Sequence, residues 1–393
     1  METHQVRRNI VLYKLFVLFN EPLFWGPIVI TSIQQLGHMS LPDIYFMEAT
    51  VMGICVLLDI PAGALADLIG QKKVLIIGRM FLLASMFGFA LTVGPLSAWL
   101  SNISWAIGIS FQSGADVSLF YNSLKSHGIQ KKFKQIEGCA VGSRLLLTAF
   151  CSLAVGPLAA INMRIPLLIC IPFVAIPLVV TFFFTEPTAT KKYSVRGQFR
   201  ILVEGIRLAA RKPEVFWMIG FCTLIMGSSK IWFFTYNPYF ERVGIDIKYY
   251  GLIFFLLNIV AWISSHYAEQ IEKRLGEHGC IITMILCVGL PVLMMGLLPF
   301  WPMAYMVLSQ NVVRGFIRPF KGDFLNRHIA SDNLRTTVLS VQSTTSDVVS
   351  ILTLSSFGLL MKHVSLLNSL VILGSVVLLL GFVSYRSYRK LPS

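Results

Sequence analysis

Apolar residues run through this chain in long blocks, separated by short polar breaks. A helix needs about 20 mostly apolar residues to cross a bilayer. By that measure the pattern predicts twelve spans. The first set covers residues 9–33, 43–66, 72–94, 97–121, 139–160 and 164–185. The second covers 214–239, 246–268, 279–298, 301–325, 336–359 and 365–386. Between the sets lies the longest polar segment, which carries Lys191, Lys192, Arg196, Arg200, Arg207, Arg211 and Lys212. From Phe199 to Ala210 apolar positions recur at helical spacing with arginines opposite, the pattern of a helix lying on a membrane surface. The expected organisation is therefore a six-helix bundle over 1–185, a cytoplasmic linker with an amphipathic helix over 186–213, and a second six-helix bundle with a short tail over 214–393.

Composition agrees with this reading. The chain is 55% hydrophobic and 13% charged, with a mean hydropathy of +0.71, whereas a soluble domain is about a quarter charged. The formal charge of +14 would suggest nucleic acid in a soluble protein, but here its placement matters more than its sum. Lys72, Lys73, Lys125, Lys131, Lys132, Lys134, Lys273, Arg274, Arg327, Arg335, Arg386, Arg389 and Lys390 all fall in breaks on one side, together with the linker. The other side offers Arg164, Arg242, Lys248 and Lys362. Such asymmetry places both termini in the cytoplasm and gives no reason to expect a nucleic-acid partner. Arg7 and Arg8 lead into a run that continues past residue 30 without a small-residue cleavage site, so the first span is expected to stay. The seven cysteines lie in or beside apolar runs with no Cys-x-x-Cys pair, so they read as packing residues and no metal site is expected. Neither a Gly-x-Ser-x-Gly elbow, a His-Glu-x-x-His helix nor a phosphate loop occurs, which argues against an enzyme, an ATP-driven pump or a bound cofactor.

One break stands out. From Asp59 to Leu75 the chain reads Asp-Ile-Pro-Ala-Gly-Ala-Leu-Ala-Asp-Leu-Ile-Gly-Gln-Lys-Lys-Val-Leu. Pro61 and Gly63 thin a helix end so that a neighbour can approach, and Asp67 sits where that helix meets water, beside Lys72 and Lys73. This stretch resembles the signature of the major facilitator superfamily, Gly-x-Leu-Ala-Asp-Arg-x-Gly-Arg-Lys. It matches at Gly63, Leu65, Ala66, Asp67, Gly70 and Lys72, and departs at Leu68 and Gln71, where the family has basic residues. Ser113 to Asp116 and Tyr121 to Lys125 are similar to the end of the fourth helix in a bacterial subgroup of that family. Asn326-Arg327 and Arg335 to Ser340 are similar to its loop after the tenth helix. Over the whole chain the resemblance implies an all-α membrane protein with twelve transmembrane helices, in two pseudo-symmetric six-helix bundles around a central cavity. It also implies a monomeric secondary transporter of the bacterial cytoplasmic membrane, working by alternating access. A faint internal repeat agrees: Phe120-Tyr-Asn122 closes the fourth span as Phe324-Leu-Asn326 closes the tenth, and Ser264 to Gly276 falls where a decayed copy of the Asp67 stretch belongs.

Ionisable residues at membrane depth are functional candidates because burying them unpaired costs several kcal/mol. Glu21 lies in the middle of the first span, between Asn20 and Pro22 and one turn before Gly26-Pro27. Gln310, Asn311, Arg314, Arg318 and Lys321 lie on the tenth span, and positions 311, 314, 318 and 321 form one polar stripe at helical spacing. Such a stripe belongs on a cavity wall, with Lys321 read as snorkelling to the interface. Lys230 precedes an aromatic run, Trp232, Phe233, Phe234, Tyr236 and Tyr239, that is either a cavity wall or an interfacial belt. Asp347 has the depth to pair with Arg314 or Arg318, and Asp116 to pair with Arg144. With Asp59, Gly63, Asp67, Gly70 and Lys72, that second pair is expected to form a cytoplasmic gate.

These features lead to the expectation of a secondary active transporter for a small organic solute, coupled to protons carried by Glu21, Asp347 or Asp59, with uptake and export both open. Arginine favours a carboxylate or phosphate on the solute, whereas Glu21 alone favours a cationic, drug-like one. The alternatives are a proton-independent carrier of an anionic metabolite or siderophore, and a membrane sensor on a transporter scaffold.

Overall fold

The computed structural model describes residues 2–186, 207, 212–328 and 332–391, and everything below concerns those residues. The amphipathic helix expected in the linker falls outside them, as do the side chains at 335–337, 339 and 340 in the loop after the tenth span. The described chain is all helical: α1 (Glu2–Leu18), α2 (Val29–Gly37), α3 (Leu41–Ile69), α4 (Gln71–Ala90), α5 (Pro95–Gln112), α6 (Ala115–Lys125), α7 (Phe133–Ile161), α8 (Arg164–Phe182), α9 (Pro213–Arg242), α10 (Tyr250–His266), α11 (Ala268–Leu297), α12 (Val307–His328), α13 (Asp332–His363) and α14 (Leu366–Tyr388).

Nine helical stretches are long and apolar enough to cross a membrane. The three expected spans that do not qualify are informative. The first is divided into α1 and α2, because Pro22 has no N–H to continue the ladder and disfavours helix at Glu21. The fourth is divided into α5 and α6 at Ser113-Gly114, where Gly114 takes φ 74, a left-handed conformation that only glycine adopts readily. The tenth, α12, is continuous but carries Arg314, Arg318, Lys321, Asp323 and Arg327. The interrupted or charged spans hold six of the eight residues expected on the cavity wall, Asn20, Glu21, Gln310, Asn311, Arg314 and Arg318, as expected where polar backbone and side chains line a water-filled site.

The chain forms two compact units. The first joins residues 1–39, 50–198 and 247–255, and the second joins 40–49, 199–246 and 256–393. In the first unit Val6, Tyr13, Phe16, Leu75, Leu119, Phe120, Leu124, Ala140 and Phe184 form a core. Helices α4 and α5 come close at a pair of glycines: a Cβ on Gly78 would stand 2.9 Å from the Gly108 carbonyl. Segment 247–255 packs against α7 by the same means, since a Cβ on Gly251 would collide with the Ser152 carbonyl, and Ser152 Oγ donates to the Gly251 carbonyl at 3.2 Å. In the second unit Trp217, Phe221, Ile281, Met284, Ile285, Phe316, Phe320, Phe324 and Val377 form a core. Segment 40–49 joins that unit through Tyr45, whose hydroxyl is 2.5 Å from Thr235 Oγ1.

Candidate functional site

In the first unit the polar groups gather around the interrupted first span. Its broken ladder leaves Asn20 in need of partners, and a fully buried arginine supplies them. Arg79, on α4 and 1% exposed, donates from Nη1 to the Asn20 carbonyl at 3.4 Å and from Nη2 to Asn20 Oδ1. Its guanidinium sits over the Phe16 ring, 4.4 Å from the centroid. Gln112, the last residue of α5, donates from Nε2 to Asn20 Oδ1 at 2.7 Å and to Asp116 Oδ2 at 3.3 Å. The other Asp116 oxygen accepts from the Val117 N–H at 2.7 Å. Tyr13 stacks on Phe120 with 3.7 Å between ring centroids and donates to Glu137 Oε2 at 2.5 Å.

The pairing expected between Asp116 and Arg144 does not form. Arg144 Nη1 instead stands 3.3 Å from Glu21 Oε1. The two residues share a depth, but α7 presents Arg144 to the broken first span, and Asp116 turns to the amide of Gln112. Asp67 is half-buried and makes no hydrogen bond or ion pair among the described residues. The break beside it is held from elsewhere. Glu186 Oε1 accepts from the Gln71 N–H at 2.5 Å, so a carboxylate caps the N-terminus of α4, where the helix dipole favours negative charge. Lys72 Nζ donates to the Phe182 carbonyl at 2.7 Å. Gly70 takes φ 100, and a Cβ there would stand 2.9 Å from Glu186 Oε2, so both conformation and space require glycine. Gly63 is half-buried and Asp59 exposed within α3.

The second unit pairs its charges differently from expectation too. Asp347 meets neither Arg314 nor Arg318. Its Oδ1 is 2.9 Å from Lys230 Nζ, a bridge between α9 and α13 in which each side chain is about one-third exposed. Lys321 does not snorkel. It donates to Gln342 Oε1 at 2.5 Å, and Gln342 passes the contact on to Ser346 Oγ at 2.8 Å. The aromatic run after Lys230 is interior rather than interfacial, since Trp232 and Tyr239 are fully buried. Tyr236 donates its hydroxyl to Gln310 Oε1 at 3.0 Å, Asn311 Nδ2 reaches the same hydroxyl at 3.5 Å, and Arg314 Nη1 reaches Asn311 Oδ1 at 3.4 Å. Arg314 and Arg318 are exposed on α12 and have no carboxylate partner among the described residues.

At the end of α12, outside the expected span, Arg327 ties three helical segments. It lies 2.7 Å from Glu272, 2.9 Å from Glu277 and 3.0 Å from Asp323, while Tyr388 of α14 donates to Glu277 at 2.5 Å. Burial draws the Arg327 pKa down, but the Glu277, Asp323 and Glu272 carboxylates outweigh it and hold the guanidinium above its ordinary value. Nearby, Gly276 interrupts α11 with φ 65. The two related breaks, at Gly70 and Gly276, thus both turn on a glycine with positive φ. Arg79, Gln112, Glu137, Glu186 and Gln342 are polar partners that the sequence reading did not single out. For Arg79 the signal was present, because an arginine in the middle of an apolar run obeys the same depth rule as Glu21.

No protein-family model matches the sequence, and no curated protein does. Among solved structures the chain is similar to a point mutant of the nucleoside transporter NupG, with a TM-score of 0.81 and 14% identity over 97% of this chain and 100% of that one. It is similar to a bacterial homologue of the human lysosomal transporter Spinster, inward-facing and unoccupied, with a TM-score of 0.73 and 12% identity over 99% and 98% of the two chains. A D-xylose-proton symporter aligns with a TM-score of 0.72 and 12% identity over 99% and 98%. These neighbours are transporters, not enzymes. At such identities the likeness shows the fold, which the chain shares with these transporters over nearly its full length.

Proposed function

We propose that this protein is a secondary active transporter for a small organic anion, coupled to protons and working by alternating access. In this reading it has twelve spans in two sets of six, with both termini cytoplasmic. The fold supports transport, and the distribution of charge supports the anion. Glu21 and Asp347 each already face a basic partner, Arg144 and Lys230, which leaves neither as an open receptor for a cationic solute. Arg314 and Arg318, by contrast, are exposed on a membrane-depth helix with no carboxylate partner among the described residues. A guanidinium cannot face hydrocarbon at low cost, so the pair belongs on a wetted wall, where it presents planar donors suited to a carboxylate or phosphate. Tyr236, Gln310 and Asn311 stand behind Arg314 and fix its approach.

Proton coupling has a physical basis in the embedded carboxylates, because a group neutral in one state and charged in another biases a conformational equilibrium. One structural neighbour is named as a proton symporter, which supports this class of coupling without carrying over its sugar. The break around Asp67 and Gly70 is assigned to gating, so Asp67→Asn is expected to slow turnover with solute affinity nearly unchanged.

The decisive experiment is a thermal-shift screen of purified protein in detergent at acidic and neutral pH, comparing carboxylate- and phosphate-bearing metabolites with lipophilic cations. A binder raises the melting temperature by mass action. Stabilisation by anions that disappears in Arg314→Ala supports the proposal. Stabilisation by cations that disappears in Glu21→Gln overturns it. Solute flux into proteoliposomes then separates transport from sensing.

A further inference from the structure

Two polar groups in the first unit are left without an ordinary partner. Arg79 is 1% exposed, its Nε has no hydrogen-bond partner, and no carboxylate lies within ion-pair distance of it among the described residues. A buried guanidinium with no carboxylate in contact is costly unless a nearby charge compensates it. Asp116 is the complementary case, a half-buried carboxylate whose hydrogen-bond partners are an amide and a backbone N–H, with no ion pair among the described residues. The two are joined by a relay: Asp116 to Gln112, Gln112 to Asn20, and Asn20 to Arg79. The relay passes through Asn20, where the first span breaks, and it begins two residues after the break in the fourth.

We propose that Asp116 is the proton-coupling carboxylate of the first unit, and that Gln112, Asn20 and buried Arg79 transmit its charge to the broken segment of the first span. This rests on the proton-coupled reading above and deepens it by assigning the group that takes the driving proton. Glu21 and Asp347 are less suited, because each stands against a cation that competes with a proton for the carboxylate. Among the described residues, the hydrogen bonds to Asp116 come from neutral donors, the Gln112 amide and the Val117 N–H.

The step is a simple protonation. Water delivers a proton to a carboxylate oxygen of Asp116, giving the neutral acid, and the net charge of the Arg79 and Asp116 set rises from zero to +1. The Gln112 amide then loses its charged acceptor, and the Arg79 guanidinium loses the charge that compensated it. Its grip on the Asn20 carbonyl and side chain weakens, and residues 19–25 are freed to reorient. Other groups face Asp116 from the helices packed around it. Arg79 on α4 and Glu137 on α7 are within electrostatic reach. Tyr13 on α1 senses Asp116, Glu137 and Arg144 together. Glu137, held by Tyr13, is therefore the neighbouring carboxylate that has to be tested beside Asp116.

The test is hydrogen exchange on the purified full-length protein without solute, following peptides that cover residues 13–28 across a pH series corrected for intrinsic exchange. The wild type is expected to lose protection there on acidification by about tenfold, the size typical of linked sites. In Asp116→Asn the segment should exchange at the fast, acid-like rate at every pH, while Glu137→Gln and Glu21→Gln keep the step. A step that persists in Asp116→Asn, or that Glu137→Gln or Glu21→Gln abolishes, overturns the assignment. If Asp116→Asn does not fold, Gln112→Leu leaves the carboxylate in place and cuts the relay, and it too should erase the step; retention of the step in Gln112→Leu overturns the proposal.

Transport supplies the second readout. In proteoliposomes Asp116→Asn should keep solute counterflow and lose the acceleration produced by a pH gradient, and acceleration that survives counts against Asp116. A wild type that shows the exchange step but no acceleration by a pH gradient refutes proton-coupled transport, while the Asp116 switch stands.

Discussion

Lys230 Nζ lies 2.9 Å from Asp347 Oδ1, and this contact bridges α9 and α13 at membrane depth in the second unit. Because it satisfies both charges, it removes Asp347 from the set of groups able to neutralise Arg314 or Arg318. The net positive face of α12 follows from that choice of partner.

The pair should behave as a coupled unit. Each side chain is about one-third exposed, so the strength of the bridge lies between that of a surface pair and a buried one, about 1–2 kcal/mol. Lys230→Met and Asp347→Asn are each expected to lower the melting temperature in detergent, and the double variant should recover part of the loss. A double variant whose loss equals the sum of the single losses argues against a functional bridge.

Removing Glu21 should not remove anion binding. Glu21→Gln frees Arg144 from its 3.3 Å partner and adds an unpaired cation, so affinity for an anionic solute is expected to hold or rise. Arg314→Ala should weaken it by about tenfold, equivalent to about 1.4 kcal/mol for a lost charged hydrogen bond. Binding isotherms on the two variants, compared at one pH and ionic strength, check both expectations.

At the break before α4, Gly70→Ala introduces a side chain at φ 100 and drives its Cβ toward Glu186. Strain of this kind costs about 1–3 kcal/mol. Glu186→Gln keeps the shape and removes the charged cap from the Gln71 N–H, a loss of about 0.5–1 kcal/mol. Thermal unfolding of the two variants should rank them in that order, and a destabilisation by Glu186→Gln equal to that of Gly70→Ala contradicts the strain account.

The Arg327 cluster should be specific for a guanidinium. Arg327→Ala leaves Glu272, Glu277 and Asp323 facing one another, and is expected to destabilise the second unit by about 1–2 kcal/mol after allowance for solvent screening. Arg327→Lys supplies a point charge that cannot reach two carboxylates in the same fork, so it should rescue less than half. Protection of α11 and α14 peptides from hydrogen exchange is the readout.

Sequence alone determined that the chain belongs in a membrane, where nine of the expected spans lie, and which polar residues fall inside apolar runs. These are properties of distance along the chain, since a helix rises a fixed 1.5 Å per residue and the bilayer tolerates few charges. Pro22 announced the break in the first span in the same way, and Gly70 the turn before α4. The break at Ser113-Gly114 had no comparable signal, because a single glycine in an apolar run is as often packing as interruption. Depth narrowed the partners of Asp116, Glu21 and Asp347 without selecting them. Selection depended on the rotation of each helix about its axis and on which neighbour it packs against, which the packed glycines and cores impose. That is why Arg144 went to Glu21, Lys230 to Asp347 and Lys321 to Gln342, and why Arg79, one arginine in an apolar helix, became the centre of the polar network in the first unit.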